Sequence, residues 1–226
     1  MATKFNVVES VLKANDAIAR ENRRRLTEAG VLALNIMSAP GSGKTALLER
    51  TIPALGPAAR CAVVVGDLQT ARDAERLATV ANETTQINTG TGCHLTATQV
   101  SEALAGRDLR GIAYLFIENV GNMVCPAAFD LGEHLRVALL SLPEGDDKVA
   151  KYPTLFQPAD VILLTKVDLR GVLDWRRERV YEDISRINSR AEVIEVSART
   201  GAGMDRWLDW LRQRRTPTSA ESVLRP

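Results

Sequence analysis

The chain has 226 residues and a formal net charge of +1 at pH 7, from 29 basic and 28 acidic side chains. This balance gives no sign of nucleic acid or a membrane surface as a partner. No apolar run approaches the ~20 residues that a membrane helix needs. Because there are only three cysteines and no apolar leader, we expect a cytoplasmic protein with free thiols or metal ligands rather than a disulfide framework.

The pattern of apolar residues along the chain predicts one helix followed by alternating strands and helices. Residues 5–29 have the spacing of an amphipathic helix, and Gly30 follows as a stop signal. Runs rich in Val, Ile and Leu predict buried strands at residues 31–37, 61–65, 112–117, 137–142, 161–164 and 193–196. Strands separated by helices indicate βαβ units. We therefore predict an α/β fold with a doubly wound, mostly parallel sheet flanked by helices.

The same pattern suggests how the chain is divided. Residues 1–30 are predicted to form an N-terminal helical segment, and residues 31–215 a single domain. Residues 216–226 are rich in Pro and Ser, which predicts a disordered tail.

The strongest motif follows the first predicted strand and opens a helix. Residues 38–45 read Ser-Ala-Pro-Gly-Ser-Gly-Lys-Thr, a Walker A pattern with Ser38 in place of the first glycine. Backbone N–H groups of such a loop face nucleotide phosphates, and the helix dipole adds positive charge. We predict that Lys44 reaches the β- and γ-phosphates and that the Thr45 hydroxyl binds Mg²⁺. The other predicted nucleotide contacts of the loop are Pro40, Gly41, Ser42, Gly43 and Ala46.

Two acidic residues follow later strands, at the sheet edge where nucleotides bind in such folds. Asp67 comes after the second predicted strand, and Glu118 comes after the third. Glu118 lies three residues before Gly121, the acid-x-x-Gly spacing of GTPases, although their usual acid is Asp. We predict that Asp67 and Glu118 bind Mg²⁺ and that Gly121 senses the γ-phosphate, so that both acids, Gly121 and Lys44 serve catalysis. Solvated acids at strand ends are the alternative.

A possible base site follows the fifth predicted strand. Thr165, Lys166 and Asp168 resemble the Asn-Lys-x-Asp motif of GTPases, with Thr165 in place of Asn. The Asp168 carboxylate can accept from guanine N1–H and the 2-amino group, which favours GTP over ATP. The Lys166 stem can lie over the base. Ser197 and Ala198 resemble the fifth GTPase element, whose backbone N–H contacts guanine O6. The alternative for the motif at residues 165–168 is an ordinary charge pair at the end of a strand.

A small group of metal-binding residues completes the set of motifs. Cys93 and His94 are adjacent, and Cys125 precedes a proline. Thiolate and imidazole ligands suit Zn²⁺ or Ni²⁺, and a symmetric dimer could complete such a site across its two-fold axis. Exposed thiols on loops are the alternative. Cys61 lies in an apolar run and is expected to be buried, whereas His134 is expected to be a solvated surface residue.

The ordered motifs resemble those of one known family. The segments SAPGSGKT, GDLQTARDAER, TGTGCHL, FIENVGNMVCPAAFDLGE, EGDDKVAKYP and LLTKVDL are similar to those of the hydrogenase nickel-incorporation (maturation) GTPases of HypB type, which belong to the SIMIBI-like P-loop GTPases. The resemblance covers about residues 5–215. Urease accessory GTPases carry a Cys-Pro-His tripeptide, whereas this chain has Cys-Pro-Ala at residues 125–127.

The resemblance implies a GTPase that uses Mg²⁺, dimerises in a nucleotide-dependent or metal-dependent way, and helps to insert nickel into the large subunit of NiFe hydrogenase. It implies two partners, a nickel-binding accessory chaperone and the precursor of the hydrogenase large subunit. The family's metal site falls on Cys93, His94 and Cys125, and its Mg²⁺-linked acids fall on Asp67 and Glu118. Some members carry a Cys-rich or His-rich nickel segment that is not found here, so nickel storage is not expected.

Hydrolysis of GTP is expected to be slow, because no arginine finger stands out, although Gln69 and Arg72 are candidates for orienting water. Since Cys125 lies four residues after Gly121, the GTP state is expected to set metal affinity. Three other functions stay open: a P-loop kinase of a small molecule, a metal-binding scaffold with a structural nucleotide site, and a GTPase chaperone for another metalloenzyme such as urease.

Overall fold

The computed structural model describes residues 7–67 and 71–215, which contain seven strands, eight α-helices and three short 3-10 helices. The strands are β1 (Leu32–Met37), β2 (Cys61–Asp67), β3 (Glu83–Asn88), β4 (Tyr114–Glu118), β5 (Leu135–Ser141), β6 (Val161–Thr165) and β7 (Glu192–Val196). The helices are α1 (Val7–Glu28), α2 (Lys44–Leu55), α3 (Arg72–Ala78), α4 (Ala97–Leu104), α5 (Lys148–Lys151), α6 (Pro153–Phe156), α7 (Arg177–Ile187) and α8 (Met204–Arg214).

All seven strands form one parallel sheet in the order β3-β2-β4-β1-β5-β6-β7. The central strand is β1. The strands β2, β3 and β4 lie on one side of it, and the later strands β5, β6 and β7 lie on the other. In open α/β sheets of this kind, ligands bind beyond the carboxyl ends of the strands where the order reverses. The predicted doubly wound α/β fold is confirmed, and the sheet is parallel throughout.

The sheet packs helices on both faces, because successive side chains of a strand point to opposite sides. On one face, Leu34 of β1 belongs to a buried cluster with Leu48 of α2 and Trp207 of α8. On the other face, Ala33 of the same strand lies in a cluster with Leu26 of α1. A third cluster joins β5 and β6 to α5, α6 and α7.

The strand β3 is absent from the six predicted strands. It lies at the edge of the sheet, and its residues are half-buried except for the exposed Asn88. Its sequence, Glu-Thr-Thr-Gln-Ile-Asn, lacks the apolar run that marks a strand buried on both faces. The other strands occur where they are predicted, with bounds that differ by one or two residues.

The helix α1 is anchored to the domain by two asparagines, a residue type with weak helix propensity. The Asn15 amide donates to the Asp130 carbonyl at 2.7 Å and accepts from the Ala97 N–H at 2.9 Å. The Asn22 amide donates to the carbonyls of Ala97 and Leu131, at 2.8 and 3.0 Å. The helix α1 and the sheet share one apolar cluster. The division of the chain into residues 1–30 and 31–215 therefore remains a prediction.

Two single-residue predictions have opposite outcomes. Cys61 is 0% exposed, as predicted. His134 is not a solvated surface residue: it is half-buried, its Nδ1 accepts from the Ala33 N–H at 3.0 Å, and its Nε2 lies 2.9 Å from Thr27 Oγ1. Burial lowers the pKa of His134, so the ring stays neutral and can accept this bond. The acidic neighbour Glu133 suggested exposure, yet it is buried as well.

Every helix within residues 7–67 and 71–215 is too short or too polar to cross a membrane. The predicted disordered tail at residues 216–226 and the candidate Gln69 lie outside the described residues.

Candidate functional site

The predicted site residues gather at one edge of the sheet, beyond the carboxyl ends of the parallel strands. Two cavities lie there side by side, with volumes of about 400 Å³ and about 370 Å³. We name them the phosphate cavity and the base cavity after their linings. The phosphate cavity is lined by residues of the Walker A loop, β2, α3 and the segment after β4. The base cavity is lined by the other side of the loop and by the segments after β6 and β7.

The Walker A loop joins β1 to α2 through two left-handed glycines. Gly41 has φ +75° and Gly43 has φ +97°, a region in which other residues are strained. The helix α2 begins at Lys44, directly after Gly43. Loop residues Pro40 and Gly41, together with Gly43 and the start of α2, line the phosphate cavity, whereas Ser42 lines the base cavity.

The Lys44 side chain is buried at the floor of the phosphate cavity. Its Nζ donates to Ser38 Oγ at 3.1 Å, so the serine that replaces the first glycine of the motif holds the lysine in place. Burial lowers the pKa of Lys44, and the negative charge of Glu118 acts in the opposite direction.

The predicted Mg²⁺ residues meet in the same cavity. Thr45 Oγ1 donates to Glu118 Oε1 at 2.7 Å, and Asp67 lines the cavity at the end of β2. Glu118 is 3% exposed, and its Oε2 is buried without a hydrogen-bond partner among the described residues. Burial raises the pKa of Glu118 to about 7, against the attraction of Lys44. A buried carboxylate oxygen without a partner, beside a hydroxyl and a second carboxylate, fits the oxygen ligands that Mg²⁺ prefers.

Gly121 brings the segment after β4 against the Walker A loop. A Cβ at Gly121 would lie 2.8 Å from Pro40 Cα and 3.0 Å from Pro40 N, so only glycine allows this approach. The next residue, Asn122, accepts with Oδ1 from the N–H groups of Val124 at 2.8 Å and Cys125 at 3.3 Å. A short hydrogen-bonded turn therefore leads from the phosphate cavity to Cys125.

The base cavity contains the predicted base motif. Asp168 Oδ1 accepts from Ser197 Oγ at 2.6 Å, and Oδ2 accepts from Arg199 Nε at 3.0 Å. The hydrogen bond from Ser197 is the main reason why the pKa of Asp168 lies below its usual value. Ala198 lines the cavity beside Ser197. The carboxylate is thus ionised and oriented by the element that was predicted to flank it.

Thr165 and Lys166 join the base motif to the Walker A loop. Thr165 Oγ1 donates to the Ser42 carbonyl, and Lys166 Nζ donates to the Gly41 carbonyl, both at 2.7 Å. Lys166 has φ +59°, the one positive φ of a non-glycine residue in the part of the chain that is described. The threonine that replaces Asn therefore fixes the loop through its hydroxyl.

The predicted metal residues converge on one point. The ligand atoms of Cys93, His94 and Cys125 all lie within 4.8 Å of one another, and all three residues are half-buried. Cys93 Sγ lies 3.6 Å from His94 Nδ1, and the His94 ring stacks on Phe129 with ring centroids 3.9 Å apart. A tetrahedral site takes four ligands, so a metal bound here keeps a position for a ligand from elsewhere.

Three charged residues at or beside the phosphate cavity are absent from the sequence-based predictions. Asp73 and Arg76 of α3 line this cavity, whereas the candidate Arg72 of the same helix does not. Their spacing of three residues on a helix after β2, which places both on one face, is the signal that could have identified them. Glu144 Oε1 accepts from the Ser141 N–H at 2.8 Å and lies 2.7 Å from Ser42 Oγ, next to the loop.

The chain was compared with known families and proteins. The model of the family "CobW/HypB/UreG, nucleotide-binding domain" matches residues 32–195. The chain is 50% identical over 211 residues to the hydrogenase maturation factor HypB of Azotobacter vinelandii, which covers 93% of this chain and 70% of that protein.

Two solved structures show the same likeness. The structure of HypB from Helicobacter pylori in complex with nickel has a TM-score of 0.84 and 39% identity, covering 89% of this chain and 95% of that chain. The structure of the hydrogenase maturation factor HypB from Archaeoglobus fulgidus has a TM-score of 0.84 and 40% identity, covering 91% and 100% respectively. The chain therefore belongs to the HypB hydrogenase maturation factors, within the CobW/HypB/UreG family of nucleotide-binding domains.

Proposed function

We propose that the protein is a Mg²⁺-dependent GTPase and metallochaperone that binds nickel and assists its insertion into the large subunit of NiFe hydrogenase. One observation carries this proposal: the ligand atoms of Cys93, His94 and Cys125 lie within 4.8 Å of one another, and Cys125 follows the turn that begins at the phosphate cavity. A change at the γ-phosphate can therefore reach a metal ligand over four residues.

The nucleotide part of the proposal depends on both cavities. Guanine would bind beside Asp168, whose ionised carboxylate accepts from N1–H and the 2-amino group, and the phosphates would lie over Lys44. Thr45, Asp67 and Glu118 would hold Mg²⁺. Bound there, the ion would offset negative charge on the β- and γ-phosphates. The reaction is hydrolysis of GTP to GDP and phosphate, with slow intrinsic turnover.

The metal part depends on the chemistry of the three converging ligands. Two thiolates and one imidazole suit Ni²⁺ or Zn²⁺, and the HypB structure from Helicobacter pylori contains nickel. We take nickel as the cargo, and Zn²⁺ as a competitor for the same ligands. A homodimer would supply the missing ligands if the two copies of the site met on a two-fold axis.

We propose two further partners because the relatives of this chain are hydrogenase maturation factors. A nickel-binding accessory chaperone would load the protein, and the hydrogenase large-subunit precursor would receive the metal, with both steps in the cytoplasm. Neither a nucleic acid nor a membrane is needed. The nucleotide state would set when the metal is held and when it is released.

The proposal is tested by titrating Ni²⁺, and separately Zn²⁺, into protein loaded with GDP or with a non-hydrolysable GTP analogue. We expect Ni²⁺ affinities that differ between the two states by about 5- to 150-fold, the usual range for coupled sites. Cys93→Ala should abolish the tight site in both states. The buried Cys61 provides the matched control, because it begins β2 whereas the three ligands follow the ends of β3 and β4, so Cys61→Ala should leave the titration unchanged.

Equal affinity and stoichiometry in both nucleotide states would reject the coupling of metal to GTP. Hydrolysis is measured in parallel with the same preparation. If the protein transferred phosphate from GTP to a metabolite instead of water, the kinase alternative would replace the GTPase. If Lys44→Ala kept full activity in hydrogenase maturation, the nucleotide site would be structural only.

A further inference from the structure

The phosphate cavity contains a second positive charge besides Lys44. Arg76, in the last turn of α3, lines it together with Thr45 and Gly121. Among the described lining residues, Lys44 and Arg76 are the two basic side chains.

Glu49 of the neighbouring helix α2 holds Arg76 by two points. Arg76 Nε donates to Glu49 Oε1 at 2.9 Å, and Arg76 NH2 donates to Glu49 Oε2 at 2.6 Å. This two-point pairing fixes the plane of the guanidinium group, which a single contact would not. Glu49 lies on the helix that begins at Lys44, so the pairing relates Arg76 directly to the Walker A loop.

The pairing with Glu49 uses Nε and NH2 of Arg76 and leaves NH1 for other partners. Arg76 NH1 lies 3.2 Å from Asp73 Oδ1, and Asp73 itself lines the phosphate cavity. Asp73 uses only one of the two N–H bonds at NH1. An arginine held in this way is pre-oriented, so little conformational freedom is lost when an anion takes up the remaining donor.

From this arrangement we infer that Arg76 is a catalytic residue of GTP hydrolysis that donates to the γ-phosphate, and that Glu49 is its positioning residue. The inference rests on the proposed GTPase function. It assigns to α3 the stabilising charge that other GTPases obtain from an arginine in the same chain or from a partner. The candidate Arg72 lies one turn earlier on the same helix and does not line the cavity.

Arg76 would stabilise negative charge and would not form or break a covalent bond. The oxygen of water forms a bond to the γ-phosphorus while the bond from that phosphorus to the β–γ bridging oxygen breaks. GDP keeps the electron pair of the broken bond, and the water gives one proton to an oxygen of the released phosphate. Arg76 would donate to an equatorial γ-phosphate oxygen during this transfer, where negative charge is spread.

The test measures single-turnover hydrolysis of γ-labelled GTP with excess protein, together with equilibrium affinities for GTP and GDP. In Arg76→Ala we expect the hydrolysis rate to fall about 100-fold or more, with GTP and GDP affinities within about threefold of the wild type. Added guanidinium ion should restore part of the lost rate. A residue that only stabilises the fold would not respond to guanidinium in this way.

Three further variants make the result specific. Glu75→Ala removes an exposed charge of the same helix that does not line the cavity, and it should keep the wild-type rate. Arg76→Lys keeps the charge without the two-point pairing, so an intermediate rate is expected even if the alanine variant does not fold. Glu49→Gln should slow hydrolysis in the wild-type background but have little effect in the Arg76→Ala background, because it acts through that arginine.

The outcomes separate this inference from the proposed function. If wild-type protein does not hydrolyse GTP, the proposed function and the role of Arg76 both fall. If wild-type protein hydrolyses GTP while Arg76→Ala and Arg76→Lys keep rates within about twofold, only the inference about Arg76 is overturned. A loss of rate matched by an equal loss of GTP affinity would also overturn it, since Arg76 would then serve binding alone.

Discussion

Asp168 illustrates how neighbouring residues prepare one side chain for its ligand. Ser197 Oγ donates to one carboxylate oxygen at 2.6 Å and Arg199 Nε donates to the other at 3.0 Å. Each carboxylate oxygen can still accept a second hydrogen bond, because it offers about two lone-pair sites. The carboxylate is thus already oriented before a base enters, and a guanine base needs to bring only its own donors.

Replacing this carboxylate should change which base is bound. In Asp168→Asn we expect GTP affinity to fall about 10- to 150-fold, the usual loss for hydrogen bonds to a charged group. Affinity for xanthosine triphosphate should rise, because xanthine has a carbonyl at position 2 that the new amide can donate to. Equilibrium binding of both nucleotides measures the change.

The exposed Asp174 supplies the control for that experiment. Asp174→Asn removes the same charge from a nearby loop and should leave both affinities unchanged. If Asp168→Asn bound GTP as tightly as the wild type, the assignment of the base cavity to guanine would be wrong.

The sequence predicted which residues line the two cavities better than it predicted their hydrogen bonds. Lys44, Glu118 and Asp168 could be proposed because each belongs to a motif with a known spacing. The hydrogen bonds of Ser38 and Thr165 could not be predicted. Each residue replaces the consensus residue of its motif, so the sequence suggests only that a consensus contact is missing. In the structure the Ser38 hydroxyl accepts from Lys44 and the Thr165 hydroxyl donates to the Walker A backbone. Such partners become visible only when the loop is folded.

At the scale of elements, α1 is fastened to the domain by polar contacts at its buried asparagines as well as by the apolar packing of Leu26. The Asn22 side chain is 1% exposed and donates to two carbonyls on different segments. A Cβ at Gly132 would lie 2.5 Å from Asn22 Cβ, which shows how closely the helix approaches the segment after Cys125. That segment also carries Phe129, whose ring stacks on His94. The helix therefore supports the surroundings of the metal ligands.

Removing the Asn22 amide should destabilise the protein substantially. Asn22→Ala leaves the buried carbonyls of Ala97 and Leu131 without this donor, and we expect a loss of about 2–3 kcal/mol in the free energy of unfolding. Urea denaturation followed by circular dichroism measures it. The exposed Arg20 of the same helix is the control, since Arg20→Ala should change stability by less than about 0.5 kcal/mol. Equal midpoints for the two variants would show that α1 does not depend on this anchor.

The long, buried elements were more predictable than the edge strand and the short helices. Strands buried on both faces, such as β2 and β6, appear as continuous apolar runs. The edge strand β3 has no such run, and the short helices α5 and α6 have four residues each, too few for a periodic pattern. The helix α1 was predictable from its period, but its asparagines resembled helix-weakening residues until their partners were known.

At the scale of the whole molecule, the proposed metal site joins segments that are distant in sequence. Cys93 and His94 follow β3, and Cys125 follows β4. These two strands are separated by β2 in the sheet, so sequence spacing alone could not bring their loops together. The residue types suggested this group and the resemblance to a family supported it, and the folded chain brings the three ligand atoms within 4.8 Å.

The close approach of Gly121 to Pro40 offers a way to test the proposed coupling between the nucleotide and metal sites. A Cβ at position 121 would lie 2.8 Å from Pro40 Cα, so in Gly121→Ala the segment before Cys125 must move away from the Walker A loop. We expect the ratio of Ni²⁺ affinities between the GTP-analogue and GDP states to fall to within about twofold, from about 5- to 150-fold in the wild type. Affinity in the GDP state should change little, because Cys93, His94 and Cys125 are retained.

The measurement requires saturating nucleotide, so that a weaker phosphate site does not imitate lost coupling. Gly171→Ala is the matched control, since a Cβ at Gly171 meets nothing within 4 Å and the wild-type ratio should be kept. If Gly121→Ala retained the full ratio while binding both nucleotides, coupling through this contact would be excluded. The two sites would then have to communicate by another route, such as a dimer interface that closes with GTP. A ratio lost in Gly121→Ala alone would instead place the coupling in the four residues between the γ-phosphate and Cys125.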